Sequence, residues 1–131
     1  MLVIADTSPL NYLILIDSVD LLPRLYQQVV LPRGAWEELR HANTPLAVAK
    51  WAYALPTWVE VWDSPGFVDP KLETLGRGEK EAITIAEHHR KRSEVLLLLD
   101  EEAARKHAAA RSIATTGTLG ILKAAAAKRL D

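Results

Sequence analysis

The chain has 131 residues, 49% of them hydrophobic and 25% charged, with no cysteine and a formal net charge of −1. That balance fits one globular domain with its own core and excludes a disordered chain, a disulfide scaffold and a thiolate metal site, so that any metal must be held by oxygen or histidine. The near-neutral sum excludes bulk electrostatic attraction to nucleic acid while leaving room for a basic rim around an acidic pocket.

Residues 2–5 (LVIA) read as a short buried strand, and Asp6-Thr7-Ser8-Pro9 supplies capping chemistry for a helix running to about Ile16. A short helical segment over Leu21 to Tyr26 leads to a second strand, Val29-Val30-Leu31. Pro32 stops that strand and opens a helix carrying Trp36, Glu37, Glu38 and Leu39. Asn43-Thr44-Pro45 precedes a helix near 46–54, and Thr57 to Val61 alternates as a strand does. The stretch from Asp63 to Asp69, with Pro65 and Gly66, is the most loop-like part of the chain.

Gly76-Arg77-Gly78 reads as a turn, without the lysine and spacing of a phosphate-binding loop, and a strongly helical run follows from Glu79 to about Arg92. Val95 to Leu99 is wholly apolar and ends at Asp100, the pattern of a buried parallel strand. An alanine-rich helix over about 101–110, a short strand near Ser112 to Thr115 and a closing helix from Gly117 complete the chain. Alternating strands and helices imply an α/β sandwich with a mainly parallel sheet, in a single domain over 1–131. No apolar run approaches the roughly 20 residues that span a bilayer, and no basic leader with a cleavage site precedes the first strand; the expectation is a soluble cytoplasmic protein.

In open parallel sheets, ligands bind beyond the carboxyl ends of the strands, where helix N-termini converge. Asp6 and Asp100 fall there, Glu38 lies in the helix leaving the second strand, and Glu79 opens the helix after the glycine pair. Four carboxylates drawn together from distant segments would raise one another's pKa unless a cation neutralised them, which implies a divalent metal. Oxygen ligands favour magnesium or manganese. Each acid also has a plainer reading. Asp6 and Asp100 suit helix N-caps, and Glu38 and Glu79 complement a helix dipole.

Several motifs, taken in order, resemble the PIN-domain ribonucleases. They are Asp6-Thr7-Ser8 after a short first strand, Leu31-Pro32 followed by Trp36-Glu37-Glu38-Leu39, Gly78-Glu79-Lys80-Glu81-Ala82-Ile83, and Leu99-Asp100-Glu101 with Ala104-Arg105. Gly117-Thr118-Leu119-Gly120-Ile121-Leu122 is similar to a branch of that family close to the toxins of VapBC toxin–antitoxin pairs. The resemblance implies a three-layer α/β/α fold, magnesium- or manganese-dependent cleavage of RNA, and frequent dimers inhibited by a cognate antitoxin protein. It maps the catalytic acids onto Asp6, Glu38, Glu79 and Asp100, with Asp6, Glu79 and Asp100 as metal ligands. Two departures stand out. The third acid is commonly Asp where this chain has Glu79, and Asp100-Glu101 leaves two choices for the last, of which Asp100 follows the strand directly.

Other conspicuous residues have plainer explanations. His88-His89-Arg90-Lys91-Arg92 ends a helix that begins at the acids, so about 13 residues at 1.5 Å each put it roughly 20 Å from them. Cations at a helix C-terminus match its dipole. Arg33, Arg77, Lys80 and Arg105 lie nearer the acids and are better candidates for a rim facing RNA. Tyr12, Leu13, Ile16, Leu21, Leu22, Leu25 and Tyr26 form an apolar stretch that is either core or a groove for an antitoxin helix. Trp36, Trp51, Trp58 and Trp62 have the same two readings. Two other classes compete with the nuclease: a PIN-fold module that binds without cleaving, and a phospho-accepting receiver-like domain. The receiver lacks support, because no acidic pair follows the first strand and no lysine ends the last.

Overall fold

The structure, a computed structural model, describes residues 1–130, so the C-terminal Asp131 lies outside it. Strands β1 (Leu2–Ala5), β2 (Val29–Pro32) and β4 (Val95–Leu98) are unbroken apolar runs, as strands covered on both faces require. With β3 (Val59–Trp62) and β5 (Ala114–Thr116) they form an all-parallel five-stranded sheet in the order β3-β2-β1-β4-β5. β1 lies at the centre, with Ile4 opposite Val30 on one side and Ala5 opposite Leu98 on the other.

Seven α-helices among the described residues cover the sheet: α1 (Thr7–Leu15), α2 (Leu21–Tyr26), α3 (Arg33–Leu39), α4 (Leu46–Tyr53), α5 (Arg77–His89), α6 (Glu102–Ala110) and α7 (Thr118–Ala127). Alternation along the strands divides the apolar side chains into two cores. Val3, Ala5, Val29, Leu31 and Leu98 pack with Leu10, Leu13, Leu22, Leu39, Val48 and Ile121 from α1, α2, α3, α4 and α7. Ile4, Val30, Leu97 and Leu99 pack on the opposite face with Ala82, Ile83, Ile85, Ala86, Ala104 and Ala108 from α5 and α6. The result is the expected three-layer α/β/α sandwich. No helix among the described residues is long and apolar enough to cross a membrane.

The elements depart from the sequence reading mainly at their ends. β3 and β5 each begin two residues later than the sequence reading places them, and α5 stops at His89 rather than Arg92. The larger difference is at Gly76-Arg77-Gly78, which is not a separate turn. Gly76 is the N-cap of α5 and Arg77 and Gly78 already belong to its first turn, because Glu79 reaches back to accept the Gly76 amide at 3.0 Å.

Candidate active site

The chain steps outward from β1 to β2 and β3, then returns to place β4 and β5 on the other flank of β1. Neighbouring connections therefore diverge between β1 and β4, and a crevice opens beyond the carboxyl ends of those two strands. Asp6 follows β1 immediately, and Asp100 comes two residues after β4. The first turn of α5 lies against this edge and against α3. A Cβ on Gly78 would stand 2.7 Å from Asp6 Oδ1 and 3.2 Å from Ala35 Cβ, so only glycine lets the helix approach the carboxylate so closely. Gly34 makes the matching allowance on α3, with its amide donating to Glu81 Oε1 at 2.7 Å.

Asp6 is 5% exposed and is the one charged side chain buried among the described residues. It occupies the N-cap position of α1, yet its carboxylate makes no capping hydrogen bond, so capping does not account for it. No Lys, Arg or His pairs with it among the described residues. Burial pushes its pKa up to about 7; the negative charges of Glu79 and Glu38 add to the rise, and the neighbouring Thr7 amide and hydroxyl oppose it.

Thr7 links Asp6 to Glu38. Its hydroxyl lies 3.0 Å from Glu38 Oε2, to which it donates, and 3.4 Å from Asp6 Oδ1. Glu79 is half-buried and holds the Gly76 amide; burial raises its pKa, and the charges of Glu101 and Glu38 raise it further. Asp6, Glu38, Glu79 and Glu101 thus lie in one another's field. Asp100 faces elsewhere: it accepts the Thr118 amide at Oδ1 and the Thr118 hydroxyl at Oδ2, each at 2.6 Å.

The donor set is all oxygen, and its most buried member carries a charge that no side chain offsets. These are the features that suit a hard divalent cation. Without one, no group of three or more carboxylates or histidines closes into a ready-made ligand set among the described residues.

The basic residues around the site divide into two kinds. Arg77 is engaged by Glu37 and by Glu81, the latter at 2.9 Å, and Arg33 pairs with Asp63 at 2.5 Å. Lys80 and Arg105 form no ion pair among the described residues. His88 and His89 sit at the far end of α5, where the His89 ring lies 5.3 Å from that of Trp62. The apolar stretch from Tyr12 to Tyr26 is not one groove. Leu13, Leu21 and Leu22 are buried and Leu25 and Tyr26 half-buried, whereas Tyr12 and Ile16 are exposed together with Leu15. Trp36, Trp51 and Trp58 pack at the edge of the first core, and the Trp36 indole donates to the Ala52 carbonyl at 2.9 Å.

Two contacts of the site were not read from sequence. Gly78 gives clearance to Asp6, and the only signal for it is the G-x-G spacing, which reads equally well as a turn. Thr7 joins two acids 31 residues apart, and no sequence periodicity reveals that.

A family model described as PIN domain matches residues 2–130. No curated protein matches the chain.

Proposed function

The chain belongs to the PIN-domain family, whose members are generally nucleases, and on that premise we propose that it is a divalent-metal-dependent endoribonuclease. The observation that carries this reading is Asp6: a carboxylate buried at the sheet switch point, in the field of Glu38 and Glu79, with no cationic side chain among the described residues to offset it. A fold does not retain such a group for stability, since burial of an unpaired charge is costly. A bound magnesium or manganese ion supplies charge to the phosphate oxygens and lowers the pKa of the attacking water.

Asp6, Glu38 and Glu79 would hold the ion, with one more acid from the Asp100-Glu101 pair. Thr7 keeps the Glu38 carboxylate turned toward Asp6. Because the Asp6 pKa sits near 7, its carboxyl is partly protonated at neutral pH, and Asp6 would give up that proton on holding the ion. Lys80 and Arg105, which form no ion pair among the described residues, are available to phosphates of the RNA strand.

The finer reading is a toxin of the VapBC type acting in the cytoplasm, dimeric, with a cognate antitoxin. Its support is the Gly117 to Leu122 motif and the exposed apolar ridge of Tyr12, Leu15 and Ile16 along α1, suited to an apolar helix. An arginine from the same partner would suit the acid pocket. A second reading, a PIN-fold module that binds without cleaving, is favoured by one observation: Asp100 and Glu79 already spend oxygens on backbone amides.

Cleavage of a mixed RNA pool with manganese, set against a chelator control, tests the proposal. Manganese-dependent products from the wild type and none from Asp6→Asn support the nuclease. Manganese binding without products supports the binding module, and equal products from both chains place the activity elsewhere.

A further inference from the structure

The end of α3 and the end of α4 hold a cation against two aromatic rings. Trp36 is half-buried, and its indole nitrogen donates to the Ala52 carbonyl at 2.9 Å, which ties the ring to the end of α4. One turn further along, the Arg40 guanidinium lies 3.6 Å from the centre of the Trp36 ring and 5.7 Å from that of Tyr53. Tyr53, the last residue of α4, is 69% exposed. The three side chains thus form a cation–aromatic cluster with an open ring at its rim.

Arg40 is held there without an acid. It forms no ion pair among the described residues, and its Nε is buried with no hydrogen-bond partner. Glu37, three residues earlier on the same helix, engages Arg77 instead, and Arg33, 5.8 Å from the Trp36 ring, pairs with Asp63. A guanidinium stacked on a ring is pre-ordered and keeps its charge for a ligand. The ligand that fits has a flat face for Tyr53 and an anion for Arg40, as a nucleotide of a single strand does. An acidic peptide would satisfy the cation and leave the ring uncovered. Arg40 follows Glu38 by two residues, about 3 Å along the helix axis and roughly 200° around it. The cluster therefore stands beside the acids rather than among them.

We propose that Trp36, Arg40 and Tyr53 form a base-stacking subsite that holds a nucleotide flanking the cleaved bond of single-stranded RNA. The assignment rests on the nuclease reading for its substrate and adds a requirement for an unpaired base. Every base has a π-face, so the subsite selects single strands over duplex rather than one sequence over another.

Fluorescence anisotropy of the full chain with labelled single-stranded RNA, in chelator, reads the subsite without cleavage. Tyr53→Ala and Arg40→Gln should each weaken binding about tenfold, whereas Tyr53→Phe, which keeps the ring, should stay within about threefold of wild type. An oligomer with abasic positions should abolish the effect of Tyr53→Ala, and duplex RNA should bind the wild type about tenfold more weakly than the single strand. Melting curves of the Tyr53 variants should match wild type, because the side chain is exposed. Unchanged affinity in Tyr53→Ala and Arg40→Gln overturns the subsite, and so does a loss as large in Tyr53→Phe or on the abasic oligomer. A lower melting temperature for Arg40→Gln with full RNA affinity makes the stack mere packing and overturns it too. A polyglutamate peptide that competes as well as RNA reassigns the surface to an acidic protein, and a wild type that binds no RNA removes it. RNA binding with these effects but without manganese-dependent products overturns the nuclease reading and leaves a single-strand binding subsite standing.

Discussion

Replacing Asp6 with asparagine should make the metal-free protein more stable, and by an amount that depends on pH. The Asp6 pKa is about 7 in the fold against 3.8 in the unfolded chain, a rise of about 3 units, and each unit corresponds to about 1.36 kcal/mol. A raised carboxyl pKa means that the folded state binds the proton more tightly. Stability from this group is therefore greatest below the unfolded pKa, declines as pH climbs from about 4 to about 7, and levels off above that. At pH 8 the ionised carboxylate costs about 4 kcal/mol, and at pH 5 about 2 kcal/mol, since the folded Asp6 is then protonated and only the unfolded one ionises. Asparagine carries no charge and keeps the shape. Against a loss of about 1 kcal/mol in hydrogen bonding with Thr7, the variant should gain roughly 3 kcal/mol at pH 8 and about 1 kcal/mol at pH 5. Urea unfolding of both proteins in chelator at the two pH values reads the difference, because every titrating group outside the field of Asp6 cancels between them. Manganese should then reverse the order at pH 8, since a ligand at about 1,000 times its Kd adds about 4.1 kcal/mol to the wild type alone. A variant less stable than wild type at pH 8 in chelator, or a difference that ignores pH, would refute the buried-charge account of Asp6.

Gly78→Ala places a methyl 2.7 Å from Asp6 Oδ1 and 3.2 Å from Ala35 Cβ, so it should cost about 1–3 kcal/mol in thermal unfolding and weaken manganese binding together. Retained affinity would show that α5 need not ride so close to Asp6. Thr7→Val removes the hydroxyl that holds Glu38 and should weaken manganese binding by about tenfold, with Thr7→Ser close to wild type, as titration calorimetry would report. Equal affinities for serine and valine would leave the hydroxyl without a role. Lys80→Gln and Arg105→Gln should each weaken RNA binding across all sequences and lower the salt slope by about 0.7, measured by fluorescence anisotropy on single-stranded RNA. Arg33→Gln and Arg77→Gln should change that slope less, because both guanidiniums are held by carboxylates.

The sequence alone determined an α/β sandwich with a mainly parallel sheet, whereas the strand order came from the structure. The runs LVIA, VVLP and VLLL have no polar interruption, and a strand of that kind has nowhere to go but the middle of a sheet covered on both faces. Helices between them made the sheet parallel, and the acids at strand ends marked which edge would carry chemistry. What the sequence could not express is anything that depends on which atoms meet across tens of residues. Periodicity names the face a side chain lies on and says nothing of its partner, so Asp6 reads equally well as a cap and as a ligand until the structure shows it buried and without a capping bond. Asp100 and Glu101 are neighbours with the same charge; only the placement of Thr118 separates them, and that comes from β5 pairing with β4 18 residues further on. Gly76-Arg77-Gly78 looks like a turn because glycine is common in turns, whereas its reason here is steric: α5 must pass within contact distance of Asp6 and Ala35, and local sequence holds no record of a neighbour that arrives from another strand.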